Sequence, residues 1–364
     1  MKASNKDNEF DIHEIPRAED GLLEIPSMVS AMGPDPVRSD FDLPLHGVFY
    51  PLGFSVEIAS NVPEVLAAAE ESWGMCRKAF PDPPVHIQIG VVQGNSDRVP
   101  PPPVCRARRN LLTNISDAEN FSVCDLRRGF AFSGLTKAAV SNRAYLRYYY
   151  LEGVALCLLE SLYMTPLHAA CVALGGKGVL LCGDSGAGKS SLALACARRG
   201  WTFISDDAAS IVRNRSGRVV VGNPHQMRFR ESAVELFPEL KRQRVTPRVT
   251  GDLAIEVATA SMPEIETTSE CQVDYIVFLD RGGTGQPRIS RYPSSAALRW
   301  FEQTICYGEK KAQEAQRASL RNLLTAELYE LHYSGLNAAV RRLEAMVCKG
   351  AERPASSAMI SAGD

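Results

Sequence analysis

Long apolar runs are missing from this chain: none reaches the roughly 18 residues that a membrane-spanning helix needs. Excess charge of either sign is missing too. Lys plus Arg number 40 against 42 Asp plus Glu, a net charge of −2. That gives no global pull toward nucleic acid or an anionic membrane. Paired cysteines are also absent. Ten are spread singly, among them Cys76, Cys105, Cys157, Cys271 and Cys348, with no C-x-x-C and no H-E-x-x-H. This argues against a zinc site or a disulfide framework and for reduced thiols in a cytoplasmic protein. The opening "MKASNKDNEFDIHEIPRAED" is polar and acidic, so no signal peptide is expected. No internal repeat stands out.

What is present suffices for two domains of ordinary size: 364 residues, 45% of them apolar. Residues 1–42 mix charge, Pro, Ser and Gly without period and read as a disordered arm. The tail 351–364 reads the same way. Residues 43–140 read as a smaller α+β N-terminal domain for binding a partner or substrate. Strands are expected in "HGVFYPLGFSVEIASN" and "PPVHIQIGVV", the latter alternating with period two, and a helix in "VPEVLAAAEESWGMCRKAF". "RVPPPPVCRARRN" (98–110) reads as a stiff polyproline-like loop with a basic cluster, and "NFSVCDLRRGFAFSGL" as a hairpin. Residues 141–350 read as the catalytic domain. It opens on a helix over 142–164, ended by Pro166, that joins the two parts or packs on the sheet that follows. The last third reads as helical, apart from a short extended piece near Glu330–Ser334.

The chemistry lies between residues 165 and 210. "LHAACVALGGKGVLLCG" reads as a hairpin turning at Gly176–Lys177. Its second strand feeds "GDSGAGKS", Gly183–Ser190, which fits G-x-x-x-x-G-K-[ST]. Glycines let such a loop turn its N–H groups inward onto phosphate oxygens, and the following helix adds the positive end of its dipole. Nucleotide binding therefore falls to Gly183, Asp184, Ser185, Gly186, Ala187, Gly188, Lys189 and Ser190. Lys189 neutralises phosphate charge and Ser190 ligates Mg²⁺. "WTFIS" is a strand ending at Asp206–Asp207. Adjacent carboxylates at a strand end splay apart, so one can serve a metal and the other a proton. The bland alternative for "DD" is a solvated turn. His168 is the third element. The expected hairpin register sets it opposite Ser185, although a lone strand histidine is more often structural, and a one-residue slip flips its face.

These residues resemble the catalytic domain of bacterial HPr kinase/phosphorylase. The pieces that carry the likeness are "LHAACVALGGKGVLLCGDSGAGKS" and "ARRGWTFISDD". The resemblance implies an α/β fold: a P-loop-containing domain of the HPr kinase and phosphoenolpyruvate carboxykinase type. It implies ATP held by Lys189 and its loop, Mg²⁺ at Ser190 with Asp206 nearby, and Asp207 as the base that takes the hydroxyl proton. It also implies His168 assisting proton movement, and a homo-oligomer, since the family forms rings. Several positions depart from the pattern. Ser191 stands where the family has Glu. The "EIRGLG" signature is absent, and Glu231 within "QMRFRESAVELFPEL" is its nearest acidic substitute. The Arg/Gly-rich loop of the reverse reaction has no counterpart beyond the basic "KRQRVTPRVTGD" (241–252), which either grips phosphate or is simply solvated. The first part does not resemble that of HPr kinase. The chain therefore looks more like divergent HPr-kinase-related proteins, some of which phosphorylate a serine on a precursor peptide.

The leading expectation is an ATP- and Mg²⁺-dependent kinase acting on a hydroxyl, serine above all, of a protein or peptide. Two alternatives stand beside it: a small-molecule kinase for free serine or a sugar, and a nucleotide-binding regulatory module without transfer chemistry.

Overall fold

The computed structural model describes residues 42–213, 215–247, 253–282, 285–305 and 308–351. The expected arm (1–42) and tail (351–364) lie, but for one residue each, outside the described residues, as does the stretch 248–252 of the basic loop. The described residues fall in one compact unit.

The first 95 or so of these build a seven-stranded mixed sheet. Its strands are β1 (Leu45–Phe49), β2 (Val56–Ser60), β3 (Val85–Val92), β4 (Val104–Arg108), β5 (Leu111–Ile115), β6 (Phe121–Asp125) and β7 (Phe130–Thr136), in the order β1-β2-β3-β7-β6-β5-β4. Alternation along β3 buries Val85, Ile87 and Ile89, as a period of two requires. The helix expected over 62–80 is shorter. Helix α1 (Pro63–Trp73) stops at Gly74, and the chain returns so that Ala79 and Phe80 donate to the Gly53 carbonyl at 2.9 and 3.1 Å. The expected polyproline loop is partly a strand. Its basic cluster lies on β4, the sheet's edge, paired with β5. Tertiary pairing there overrides what composition predicts.

Helical residues α2 (Lys137–Ser141), α3 (Arg143–Tyr145), a π-helical stretch (Leu146–Glu152) and α4 (Gly153–Leu162) follow. Their apolar face, from Leu146 to Leu159, packs into the core of the first sheet with α1. Val212 and Val221, from the next sheet, join that same cluster. This helical run therefore joins the two halves.

A second, nine-stranded sheet carries the site. It contains β8 (Met164–Pro166), β9 (Ala170–Leu174), β10 (Lys177–Cys182), β11 (Thr202–Ser205), β12 (Ser210–Val212), β13 (Val219–Val221), β17 (Glu270–Arg281), β18 (Arg288–Arg291) and β19 (Glu327–Tyr333). A third, small sheet holds β14 (Gln226–Phe229), β16 (Leu253–Ala258) and β15 (Arg244–Pro247). β10 and β19 both run parallel to β17. β11 is antiparallel to β9, which is antiparallel to β10, so β11 points the same way. Four strands thus end at one edge, where open α/β sheets bind ligands.

Helix α5 (Lys189–Ala197) follows β10, and eight of its nine residues are buried. A helix apolar on nearly every side belongs between layers. One side of the sheet shares its core with α5, α8 (Leu336–Ala351) and the third sheet. The other face is covered by α6 (Ser294–Glu302) and α7 (Lys310–Leu323). Among the described residues no helix is long and apolar enough to cross a membrane.

The β9–β10 hairpin turns at Gly175–Gly176, both with positive φ (56° and 78°), as a primed two-residue turn demands. Lys177 pairs with Leu174, a register two residues away from the expected one. A two-residue shift keeps every side chain on its face.

Leu181 of β10 is fully buried directly ahead of the glycine-rich loop. Leu181→Ala is expected to cost about 2–5 kcal/mol through the cavity it leaves. Urea unfolding checks this, and a loss below ~1 kcal/mol contradicts the packing described.

Candidate functional site

Residues 183–188 leave β10 and turn into α5 through three glycines of positive φ: Gly183 (148°), Gly186 (93°) and Gly188 (93°). The last of these cannot be replaced cheaply. A side chain on Gly188 would collide with the Tyr333 hydroxyl, and its left-handed φ is strained for any other residue. Tyr333, at the end of β19, donates from its hydroxyl to the Ala187 carbonyl at 2.8 Å and so pins the loop from two strands away.

Lys189 opens α5 and is 6% exposed. Its Nζ donates to the Gly183 carbonyl at 2.9 Å and stands 3.6 Å from Asp207 Oδ1. That same carboxylate oxygen lies 3.8 Å from His168 Nδ1. His168 is not on a strand, which corrects the expectation. The β9–β10 ladder ends at Ala170–Leu181, and His168 sits before it with φ 46°. A non-glycine residue in the left-handed region is uncommon and concentrates at functional sites. The histidine meets Asp207 through this loop conformation rather than through the predicted strand pairing with Ser185.

A cleft of about 220 Å³ opens here, lined by His168, Ser185, Gly186, Lys189, Ser190 and Asp207, among others. Gly183, Asp184 and Ala187 of the predicted loop do not line it, and neither does Glu231. Three residues that sequence reasoning missed are placed at the site. Arg230, just past β14, donates to the Ser185 hydroxyl across the loop. Arg281, at the end of β17, lines the cleft beside Gly188. Tyr333 is the third. Alternation of Met227 and Phe229, both buried, with Arg228 and Arg230 is the one signal that could have marked β14.

The two aspartates face different ways. Asp207 looks into the cleft, while Asp206 lines a separate cavity of about 480 Å³. Asp206 is 8% exposed, and its Oδ2 accepts the Arg228 backbone N–H at 2.6 Å. Its own carbonyl faces the Ser190 hydroxyl at 3.4 Å. Burial, and then the adjoining Asp207 charge, pushes the Asp206 carboxyl from 3.8 up to about 6. Among the described residues no group of three His, Cys, Asp or Glu could hold a metal alone.

This geometry defines an α/β protein in which a glycine-rich loop, a buried lysine and a carboxylate converge at the C-terminal ends of parallel strands. Comparison with known proteins then places the segment. The HPr serine kinase C-terminal domain model matches residues 162–232. HPr kinase/phosphorylase from Limosilactobacillus reuteri is 43% identical over 78 residues, 21% of this chain and 24% of that protein. The Clostridium botulinum HPr kinase/phosphorylase is 42% identical over 60 residues, 16% of this chain and 19% of its own. The solved Hpr(Ser) kinase/phosphatase from Coxiella burnetii aligns over 51% of this chain and 94% of its own, at 12% identity and a TM-score of 0.28. Residues 162–232 are thus related to the C-terminal domain of HPr kinases, and the likeness spans a quarter or less of those two curated relatives' length.

An acid whose folded-state pKa is raised costs stability once ionised. For Asp206 that cost is full above pH about 6 and fades as the pH falls toward 4. Asp206→Asn removes it and keeps an oxygen for the Arg228 N–H. The variant is expected to gain on the order of 3 kcal/mol at pH 7.5 and little at pH 4. Denaturant unfolding at both pH values decides, and equal stability at pH 7.5 refutes the burial argument.

Proposed function

We propose that this protein is an ATP- and Mg²⁺-dependent kinase that transfers the γ-phosphoryl group to a hydroxyl, serine above all, of a protein or peptide. The observation that carries this reading is the placement of Asp207 Oδ1 within 3.6 Å of Lys189 Nζ and 3.8 Å of His168 Nδ1, at the mouth of the glycine-rich loop. The relationship to HPr kinases supports it.

The loop's backbone N–H groups and the N-terminal end of α5 would receive the phosphates of ATP, with Lys189 neutralising their charge. Bound MgATP would supply the transferable phosphoryl group and a cation that offsets its charge. The donor set suits that cation. Ser190 and Asp207 line the cleft and offer oxygens, the type Mg²⁺ prefers, and too few of them for an all-protein cage, which matches a metal shared with phosphate; the Asp206 carboxylate, expected near the metal, faces the other cavity instead. Asp207 would accept the proton of the attacking hydroxyl as the new P–O bond forms and the bond to the leaving diphosphate breaks. His168, beside the same oxygen, would relay that proton. Asp206 would support from behind, through its carbonyl toward Ser190.

The size of the cleft favours a macromolecular acceptor. At about 220 Å³ it lies below the ~300–1,000 Å³ typical of pockets that enclose a small ligand. It would therefore be filled by the phosphates, and the acceptor hydroxyl would approach from the rim. On this reading the fold is of the HPr kinase and phosphoenolpyruvate carboxykinase type. Residues 43–140 form a partner-binding or substrate-binding module, and the protein works in the cytoplasm as a homo-oligomer.

Incubation of the full chain with labelled ATP and serine-containing peptides tests the proposal. Asp207→Asn is expected to lower transfer by ~100-fold or more while ATP affinity stays within a few-fold. Lys189→Ala is expected to lose ATP binding in calorimetry. Equal label transfer by wild type and Asp207→Asn would remove the assigned base. Tight ATP binding without transfer to any acceptor would favour a regulatory module instead.

A further inference from the structure

A cluster of buried charges sits where the helices of the first sheet meet the third sheet. Arg147, in the π-helical stretch, has a side chain only 5% exposed. It contacts Glu71 of α1 at 2.8 Å and Glu152 at 3.1 Å. Its Nε donates to the Ser72 hydroxyl at 2.8 Å, and that hydroxyl donates to Glu152 Oε1, also at 2.8 Å. The second oxygen of Glu152 receives Arg228 Nη2 at 3.1 Å. The Arg228 guanidinium lies 4.6 Å over the Tyr148 ring and 3.7 Å from Glu256. Tyr148 closes the group by donating to Glu256 Oε2 at 2.9 Å.

The path ends at the candidate site. The backbone N–H of Arg228 is the donor that holds Asp206 Oδ2 at 2.6 Å. Asp207 follows Asp206 directly, and the Asp206 carbonyl faces Ser190. From α1 to the phosphate loop, each step is therefore a hydrogen bond, an ion pair or a peptide link.

Stability does not explain why such a group is kept. Taking ions out of water costs several kcal/mol each, and well-packed apolar side chains often do as well or better. Burial pushes the Glu152 carboxyl up, but the guanidiniums of Arg228 and Arg147 outweigh it and hold the carboxyl below its usual range. What the cluster does provide is a constrained geometry: Arg147, Ser72 and Glu152 bond one another and Glu152 also holds Arg228, whose buried Nε lies 3.7 Å from Glu256 without a hydrogen bond. The π-helical turn that presents Arg147, Tyr148 and Glu152 is of a kind frequent at functional sites.

We propose that Ser72, Arg147, Glu152 and Arg228 are positioning residues, through which the helices packed on the first sheet set the Asp206–Asp207 turn against the phosphate loop. The first half of the molecule is then a structural part of the active site as well as a binding module. The catalytic consequence rests on the kinase reading; the structural one does not.

Amide hydrogen exchange on the full chain tests the structural claim, and labelled-ATP transfer tests the catalytic one. The variants are Glu152→Gln, Ser72→Ala and Ser72→Thr. Glu152→Gln and Ser72→Ala are expected to speed exchange at the Arg228 amide and at residues 206–208 by about tenfold, while the β9–β10 hairpin exchanges as in wild type. Ser72→Thr, which keeps the hydroxyl, restores slow exchange. Transfer kcat falls by about tenfold in the two loosened variants at an unchanged KM for ATP. Wild-type exchange at Arg228 in both variants overturns the proposal, and so does uniform loosening of the whole chain. If wild type transfers phosphate to no acceptor, the kinase reading falls and exchange alone decides the coupling.

Discussion

A lysine ammonium that is 6% exposed must find oxygens, and Lys189 finds the Gly183 carbonyl at 2.9 Å and Asp207 Oδ1 at 3.6 Å. Much of the site is arranged around that requirement. A buried cation without partners would carry a large desolvation cost. The loop must therefore curl far enough to bring its first carbonyl back over its own helix, which its three positive-φ glycines permit. The strand β11 must end where its second aspartate can reach the same ammonium. The tight fit of Gly188 against Tyr333 then ties this curl to β19, two strands away from β10.

The same arrangement divides the labour of two adjacent carboxylates. Asp207 takes the cleft, the lysine and the histidine. Asp206 takes the interior, where burial raises its proton affinity and the Arg228 N–H holds it. Residues one apart at a strand end diverge, so one peptide link separates a chemical group from its support. Support of this kind draws on distant sequence. Ser72 and Arg147, far from the loop along the chain, reach it through Glu152 and Arg228.

Legibility followed the range of the interactions involved. The hairpin, the glycine-rich loop, α5 and the strand ending at Asp206–Asp207 are local features, and each was readable from spacing and residue type. The edge strand β4, hidden behind four prolines, was not, because only pairing with β5 makes it a strand. His168 was located near the site for an inexact reason. The register is two residues from the expected one, and its approach to Asp207 depends on a left-handed backbone turn that no period announces. Arg230, Arg281 and Tyr333 carry no motif. Their strands end at the cleft only because the sheets stack their ends there.

The amino-acid sequence by itself determined the glycine-rich loop pattern, the paired aspartates after the next strand, and an α/β second half preceded by a strand-rich one. These depend on contacts within a few residues, where glycine, proline and alternation act directly on the backbone. Tertiary structure alone decided which aspartate faces the cleft, which arginines border it, and how the first half of the chain reaches Asp206. Those outcomes depend on which strand ends and helix faces pack together, and the energy that selects them comes from burial spread over the whole core.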